Sequence, residues 1–405
     1  MRGIGVLGLQ AVVVRGCSLA ANIVLAHLLA PRAFGIIALA TAITGLVTVL
    51  SDGGIGVALI RAPRDPDRLE LASLLGVQLT GTTLLAIVAG VVGSTFGEGG
   101  RVIAVIGLSM PLAALSSPGA ILLERRLGYT SVAAIESLAT FAYIACAIAL
   151  VALGAGVWGL AIALVTQALV RSLAMLAIVP EARLLPRLRL SKVKPYVSFG
   201  LLCQASTVVD FARDQTINTG TLAIRGLTTL GVWTMVGNLA QAPFTLFAIL
   251  GRVAFPTIAR LMREGVDLAP EMERSMELVA VVVGLLAAGF VGTGPVVVPL
   301  LLGSRWDGVI PALPYVGLAI LVTAPANVVL GGYLLARKRA GTLLWANVVE
   351  VVVDIAVAFA LLPWLGVRAL GIGFLAGGLV DMPVFAWAVR HWAPVRVVAP
   401  VLSTT

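Results

Sequence analysis

Seven carboxylates fall inside stretches of otherwise apolar sequence long enough to cross a bilayer: Asp52, Glu136, Asp210, Asp214, Glu350, Asp354 and Asp381. Three arginines, Arg15, Arg171 and Arg213, share that placement. An ionised side chain at the centre of a membrane helix costs about 2.5–3.5 kcal/mol on insertion scales, so each asks for a partner, a wet cavity or a ligand. The densest group is Asp210-Phe211-Ala212-Arg213-Asp214. Spacings of three and four put its charged residues on one helical face, and Gln204, Gln215 and Asn218 make the same helix wetter. That face reads as a cavity wall for a substrate or proton, with a self-neutralised patch as the competing reading. Arg15 lies near the middle of the first apolar run, too deep to reach either surface easily. Its anion would be Asp52, Asp210 or the substrate. Glu350 and Asp354 stand four apart on one face, and two like carboxyls so placed can share a proton, which suits a proton-coupled step. Stabilisation by Arg171 is the alternative. Asp52-Gly53-Gly54-Ile55-Gly56 sets an acid and three glycines near the end of the second apolar run, where a gate or a close packing contact fits.

Other chemistries find no support. His27 and His391 are the only histidines, which leaves too few for a His-based metal site and speaks against a Ser-His-Asp triad. Cys17, Cys146 and Cys203 lie in apolar runs without metal-ligand spacing and read as small core residues. Gly3-Ile4-Gly5-Val6-Leu7-Gly8 matches the dinucleotide fingerprint in letters only: no strand precedes it. No cofactor is expected. Gly373-Phe374-Leu375-Ala376-Gly377 reads instead as a site of close helix packing.

The elements that must hold these residues are membrane helices. Of the 405 residues, 60% are hydrophobic and only 12% charged, with a mean hydropathy of +1.06. Soluble domains average roughly 25% charged residues, so a water-soluble fold is excluded. Apolar runs of helical length recur throughout, without the period-2 alternation of a membrane barrel. At about 20 residues per crossing the sequence predicts an all-α integral membrane protein of about twelve transmembrane helices. Their expected spans are 8–30, 36–60, 71–95, 102–123, 132–153, 157–179, 197–222, 231–255, 276–302, 308–335, 341–363 and 367–390. The weakly charged start, MRGIGVLGLQ, reads as the opening of a retained helix and not as a removable signal.

Loops on the amino-terminal side of this arrangement carry twenty Lys and Arg, those on the other side five. That bias predicts both termini in the cytoplasm and explains the net charge of +9 without nucleic acid. The basic loops set topology and meet anionic membrane lipid. The stretch 180–195, PEARLLPRLRLSKVKP, carries five of those charges near mid-chain. It divides the sequence into an N-terminal six-helix lobe at 1–180, a cytoplasmic linker at 181–196 and a C-terminal six-helix lobe at 197–405. A weak repeat agrees: Phe34-Gly35 answers Leu230-Gly231, and Gly154 and Gly159 answer Gly366 and Gly371. Six helices per repeat imply lobes related by a pseudo-two-fold axis along the membrane normal.

Several landmarks carry a family likeness: Leu28–Arg61, Leu123-Glu124-Arg125-Arg126-Leu127-Gly128-Tyr129 and Gly154-Ala155-Gly156-Val157-Trp158-Gly159-Leu160. Ala254-Phe255-Pro256-Thr257-Ile258-Ala259-Arg260 and Leu302-Gly303-Ser304-Arg305-Trp306 continue it. In order and spacing the chain resembles the polysaccharide (O-antigen or exopolysaccharide) flippase branch of the multidrug/oligosaccharidyl-lipid/polysaccharide exporter superfamily. The resemblance implies a transporter, not an enzyme. Such a protein moves a polyprenyl-diphosphate-linked oligosaccharide from the cytoplasmic to the outer leaflet of the plasma (inner) membrane by alternating access. It implies a cationic central cavity, with Arg15 at the position where relatives place a cation, Arg213 as a second, and Gln204 and Asn218 beside it. Many such proteins are coupled to a proton or sodium gradient, for which the residues read above are Asp210, Asp214, Glu350 and Asp354, with Asp52, Gly53 and Gly54 as gate or packing residues. A polysaccharide polymerase and glycosyltransferases are the implied partners. The alternative, drawn from the excess of carboxylates, is a cation-coupled exporter of small cationic molecules on the same scaffold.

Overall fold

A computed structural model describes residues 2–95, 97–203, 205–264, 268–337 and 339–389. They form fifteen α-helices and no strand. In hydrocarbon every backbone N–H and C=O must be satisfied within the segment, so apolar runs of this length fold as helices. They are α1 Arg2–Leu28, α2 Pro31–Asp52, α3 Ile55–Arg61, α4 Arg68–Thr95, α5 Gly97–Gly107, α6 Ser109–Ala114, α7 Ser117–Arg125, α8 Tyr129–Ala152 and α9 Val157–Ile178. There follow α10 Leu190–Cys203, α11 Ala205–Glu264, α12 Leu268–Leu302, α13 Leu313–Ala336, α14 Ala340–Leu365 and α15 Val367–Val389. Among the described residues seven helices are long and apolar enough to cross a membrane, and the pair Gly97–Ala114 and Ser117–Arg125, bent by 43°, adds an eighth. The expected count of about twelve is not reached on that measure. Among the described residues, α1 and α2 contribute the shorter apolar stretches Val13–Leu28 and Pro31–Leu46.

The chain forms two compact units, Met1–Phe211 and Ala212–Thr405. In the first, α8 and α9 make an antiparallel hairpin around Gly154 and Gly156, and α1 is tied to α8 by Gln10 Nε2, which donates to Ala133 O and Ser137 Oγ. Ala40, Val102, Ile106 and Ala161 bring α2, α5 and α9 together in a buried cluster. A second cluster joins α3, α4, α7 and α10 through Ile55, Leu59, Leu71, Leu74, Ile121 and Val193.

The break between α2 and α3 is built by Asp52-Gly53-Gly54. Gly53 caps α2 in the left-handed region (φ 53°), and Gly54 follows at φ 77°. Asp52 Oδ1 accepts from the Gly56 N–H at 3.3 Å and from Gln78 Nε2 at 2.8 Å, stitching α3 and α4 to the end of α2. Here α10 crosses with its backbone in contact: a Cβ on Gly200 would lie 2.2 Å from Gly54 O.

The basic stretch 181–196, expected as a linker between lobes, packs onto the first unit. The Arg187 N–H donates to Ala72 O at 2.9 Å, and Tyr196 OH donates to Glu70 Oε1 at 2.9 Å. Glu70 is only 2% exposed. It forms a reciprocal cap with Asp67 at the start of α4 and takes an ion pair from Arg64 at 2.6 Å. The Tyr196 hydroxyl, and after it the Glu70 carboxylate, raise the pKa of the Arg64 guanidinium. Nearby, Arg125 donates to the carbonyls of Leu59, Ile60 and Ala62 at the C-terminal end of α3, where a cation suits the helix dipole. Glu181 sits below the usual carboxylate range because its own backbone N–H and then Arg126 stabilise the ionised form. Carboxylates thus hold this stretch on the first unit.

In the second unit α13 and α15 pack together, and α14 and α15 form a hairpin around Gly366. Gly373 and Gly377 let the two hairpin helices touch: a Cβ at Gly373 would stand 2.7 Å from Asp354 O, and one at Gly377 2.8 Å from Glu350 O. The G-x-x-x-G is a packing site. Helix α11 is interrupted at Gly226 (φ 79°, ψ −179°), so its 60 residues are two helical segments in succession.

Gly200→Ala pushes a methyl into the Gly54 backbone, which has no side chain to swing aside, and is expected to cost about 1–3 kcal/mol. Gly237→Ala, with nothing within 4 Å of the new Cβ, is expected to be neutral or to stabilise by up to about 1 kcal/mol. Thermal unfolding of the two variants in detergent checks the contrast.

Candidate functional site

The second unit gathers the charges of α11, α14 and α15 into one network. Arg213 Nε donates to Asp354 Oδ2 at 2.6 Å, its Nη1 reaches Asp214 Oδ1 at 3.3 Å, and its guanidinium carbon lies 5.1 Å from the centre of the Phe374 ring. The Asp354 side chain is 2% exposed, so its ionised form depends on that bidentate-capable partner. Glu350 stands one turn before Asp354 and hydrogen-bonds the buried Asp381 of α15. Asp381 Oδ1 has no hydrogen-bond partner among the described residues. The Gly373–Gly377 contact is what brings α15 close enough for this.

Arg171 is not part of that network. It is ion-paired with Glu136 across the α8–α9 hairpin of the first unit, where the sequence had offered it to Glu350 and Asp354. The register of the hairpin explains the pair: Glu136 lies 18 residues before Gly154 and Arg171 lies 15 after Gly156. The same signal marks a residue left out of the expected site. Glu350 and Asp381 stand 16 and 15 residues either side of Gly366.

The remaining candidates divide by position. Arg15 is exposed on α1, and no ion pair or hydrogen bond involves it among the described residues. Of its two expected protein partners, Asp52 is engaged with Gly56 and Gln78, and Asp210 is exposed near the end of the first unit. Asp214 is exposed, while Asn218 and Glu350 are half-buried. Gln204 lies outside the described residues.

Comparison with known proteins follows the same lines. Residues 24–311 match the family described as polysaccharide biosynthesis protein. The chain is similar to the lipopolysaccharide biosynthesis protein WzxC of Escherichia coli (strain K12), 22% identical over 81% of this chain and 68% of that one. It is also similar to the succinoglycan biosynthesis transport protein ExoT of Rhizobium meliloti (strain 1021), at 23% over 81% and 67%. In fold it matches the lipid II flippase MurJ in an inward closed conformation, with a TM-score of 0.74 at 11% identity over 98% of this chain and 90% of that one. An inward-facing multidrug resistance MATE family transporter of the MOP superfamily gives a TM-score of 0.71 at 16% identity over 96% of each chain. The fold is therefore one shared with a lipid II flippase and with a multidrug resistance transporter.

Asp354→Asn leaves the Arg213 guanidinium without its buried counter-ion and is expected to cost about 3–5 kcal/mol. The double variant Arg213→Gln/Asp354→Asn is expected to lose less than Asp354→Asn alone, because no charge is then stranded. A double-mutant cycle on thermal unfolding measures the coupling, and additive losses would contradict it.

Proposed function

We propose, on the premise that the chain belongs to the polysaccharide biosynthesis protein family, that it is a flippase for a polyprenyl-diphosphate-linked oligosaccharide. It carries the head group from the cytoplasmic to the outer leaflet by alternating access while the lipid tail stays in the bilayer. It works by transport, with no bond made or broken. The observation that carries the reading is the contrast among the three intramembrane arginines. Arg171 and Arg213 are balanced by Glu136 and Asp354 inside their own units, whereas Arg15 has no such partner among the described residues. A guanidinium presents a planar fork of donors that matches phosphate oxygens, and a diphosphate supplies the anion that Arg15 lacks. An exporter of small cations would instead need open carboxylates, and three of the seven, Glu136, Asp214 and Asp354, are ion-paired to arginine.

In this reading Arg15 anchors the diphosphate. Arg213, Asn218 and Gln204 are further polar groups for the cargo in this reading. Asp354, Glu350 and Asp381 form the group through which a proton or sodium ion drives the cycle, with Asp210 and Asp214 nearer its entrance. The crossing at Asp52, Gly53 and Gly54 is the point where the first unit bends. The charge bias of the loops supports cytoplasmic termini, in keeping with a flippase of the plasma (inner) membrane. The polymerase and glycosyltransferases that consume and supply such a lipid are its natural partners.

The test is flipping of a fluorescent polyprenyl-diphosphate oligosaccharide in proteoliposomes. Charged hydrogen bonds are worth about 1.5–3 kcal/mol, so Arg15→Ala is expected to slow the initial rate about ten- to a hundredfold. Arg15→Lys is expected to retain part of the activity. Wild-type flipping by Arg15→Ala would remove the anchor from the proposal.

A further inference from the structure

The first unit carries an open cavity of about 400 Å³, lined in part by Arg171 of the Glu136 pair. One wall is α2, with Thr41, Thr44 and Thr48 one turn apart on a single face. The others bring Ser109 from α6, and Gln167 and Arg171 from α9. The Phe211 ring borders it, seated where a Cβ on Gly45 would come within 2.9 Å of Cε2.

The hydrogen atoms of the wall hydroxyls are already spent. Thr41 donates to Ile37 O and Ala38 O, Thr44 to Thr41 O at 3.1 Å, Thr48 to Thr44 O at 2.8 Å, and Ser109 to Ile106 O at 2.6 Å. A hydroxyl has one proton and two acceptor sites, so what these four present is a row of acceptors. The opposite wall supplies donors. Arg171 Nε is buried and has no partner among the described residues, and the Gln167 amide carries two more N–H groups. The charge of Arg171 is offset by Glu136, so the walls are polar without net charge. A diphosphate would find no excess cation here, and a cationic drug no excess carboxylate. A ligand whose groups each donate and accept, with apolar C–H faces for Phe211, fits both walls. The volume lies within the roughly 300–1,000 Å³ of small-molecule sites.

We infer that this cavity is a binding site for the neutral, hydroxyl-rich sugar portion of the cargo, separate from the anchor of its diphosphate. The inference rests on the flippase reading for the identity of the cargo. Two probes separate the two: a short-chain polyprenyl diphosphate bearing a neutral disaccharide, and the same lipid diphosphate without sugar. Binding of each to the full chain in detergent is measured by thermophoresis, and flipping of each in proteoliposomes. Wild type is expected to bind the sugar-bearing lipid more tightly than the bare one. Thr44→Val/Thr48→Val, which keeps side-chain shape and removes two acceptors, is expected to weaken only the sugar-bearing lipid, by about tenfold. Gln167→Leu, which removes the amide donors, is expected to act in the same direction and carries the test if the threonine pair does not fold. A variant that keeps the wild-type preference, or one that loses both lipids equally, would overturn the sugar site. Wild type that shows the preference yet flips neither lipid would overturn the flippase reading and leave the site standing.

Discussion

A charge inside a membrane helix has to meet its counter-charge within reach of a side chain, and in this protein that requirement organises each unit. Glu136 and Arg171 settle it across the α8–α9 hairpin, and Arg213 and Asp354 settle it between α11 and α14. Each pair demands that its helices be held in one register, and the glycines supply that closeness. Without Gly373 and Gly377, α15 could not lie against Asp354 and Glu350, and the second network would open. The pairs also sharpen function by subtraction. Of the three intramembrane arginines, Arg15 is the one without an ion pair among the described residues.

Much of the fold was legible because the bilayer makes helix length and apolarity nearly the same signal. The expected spans 132–153, 157–179, 341–363 and 367–390 lie within three residues of Tyr129–Ala152, Val157–Ile178, Ala340–Leu365 and Val367–Val389. Each pair meets at a glycine turn, Gly154 and Gly156 in one and Gly366 in the other, which ends a helix sharply. The expected span 102–123 instead became α5, α6 and α7, because its interruption comes from Leu115-Ser116 and Pro118 and leaves hydropathy almost untouched. The seventh span was expected from 197, yet α10 begins at Leu190 with Pro195 inside it. Basic residues had marked that segment as loop, but Glu70 and Asp67 receive it and let it continue as helix.

The site was legible in its residues more than in its pairings. Arg213, Glu350 and Asp354 stood out by charge alone, and the structure brings them together. The partner of Arg171 was not found that way, since proximity in charge says nothing of register. Counting outward from the hairpin glycines would have given Glu136–Arg171 and Glu350–Asp381. The cavity beneath Thr41, Thr44 and Thr48 carried no such signal. Threonines in an apolar run look like tolerated helix residues until neighbouring helices show which oxygens are left open.

The central claim is that the cargo's diphosphate meets Arg15 and leaves the Arg213–Asp354 pair closed. A cryo-electron microscopy structure of the full chain with a short-chain polyprenyl diphosphate disaccharide tests it most directly. Phosphate density is expected within about 4 Å of the Arg15 guanidinium, at salt-bridge distance, with Arg213 still bonded to Asp354. Phosphate density on Arg213, with Asp354 released and Arg15 empty, would contradict it.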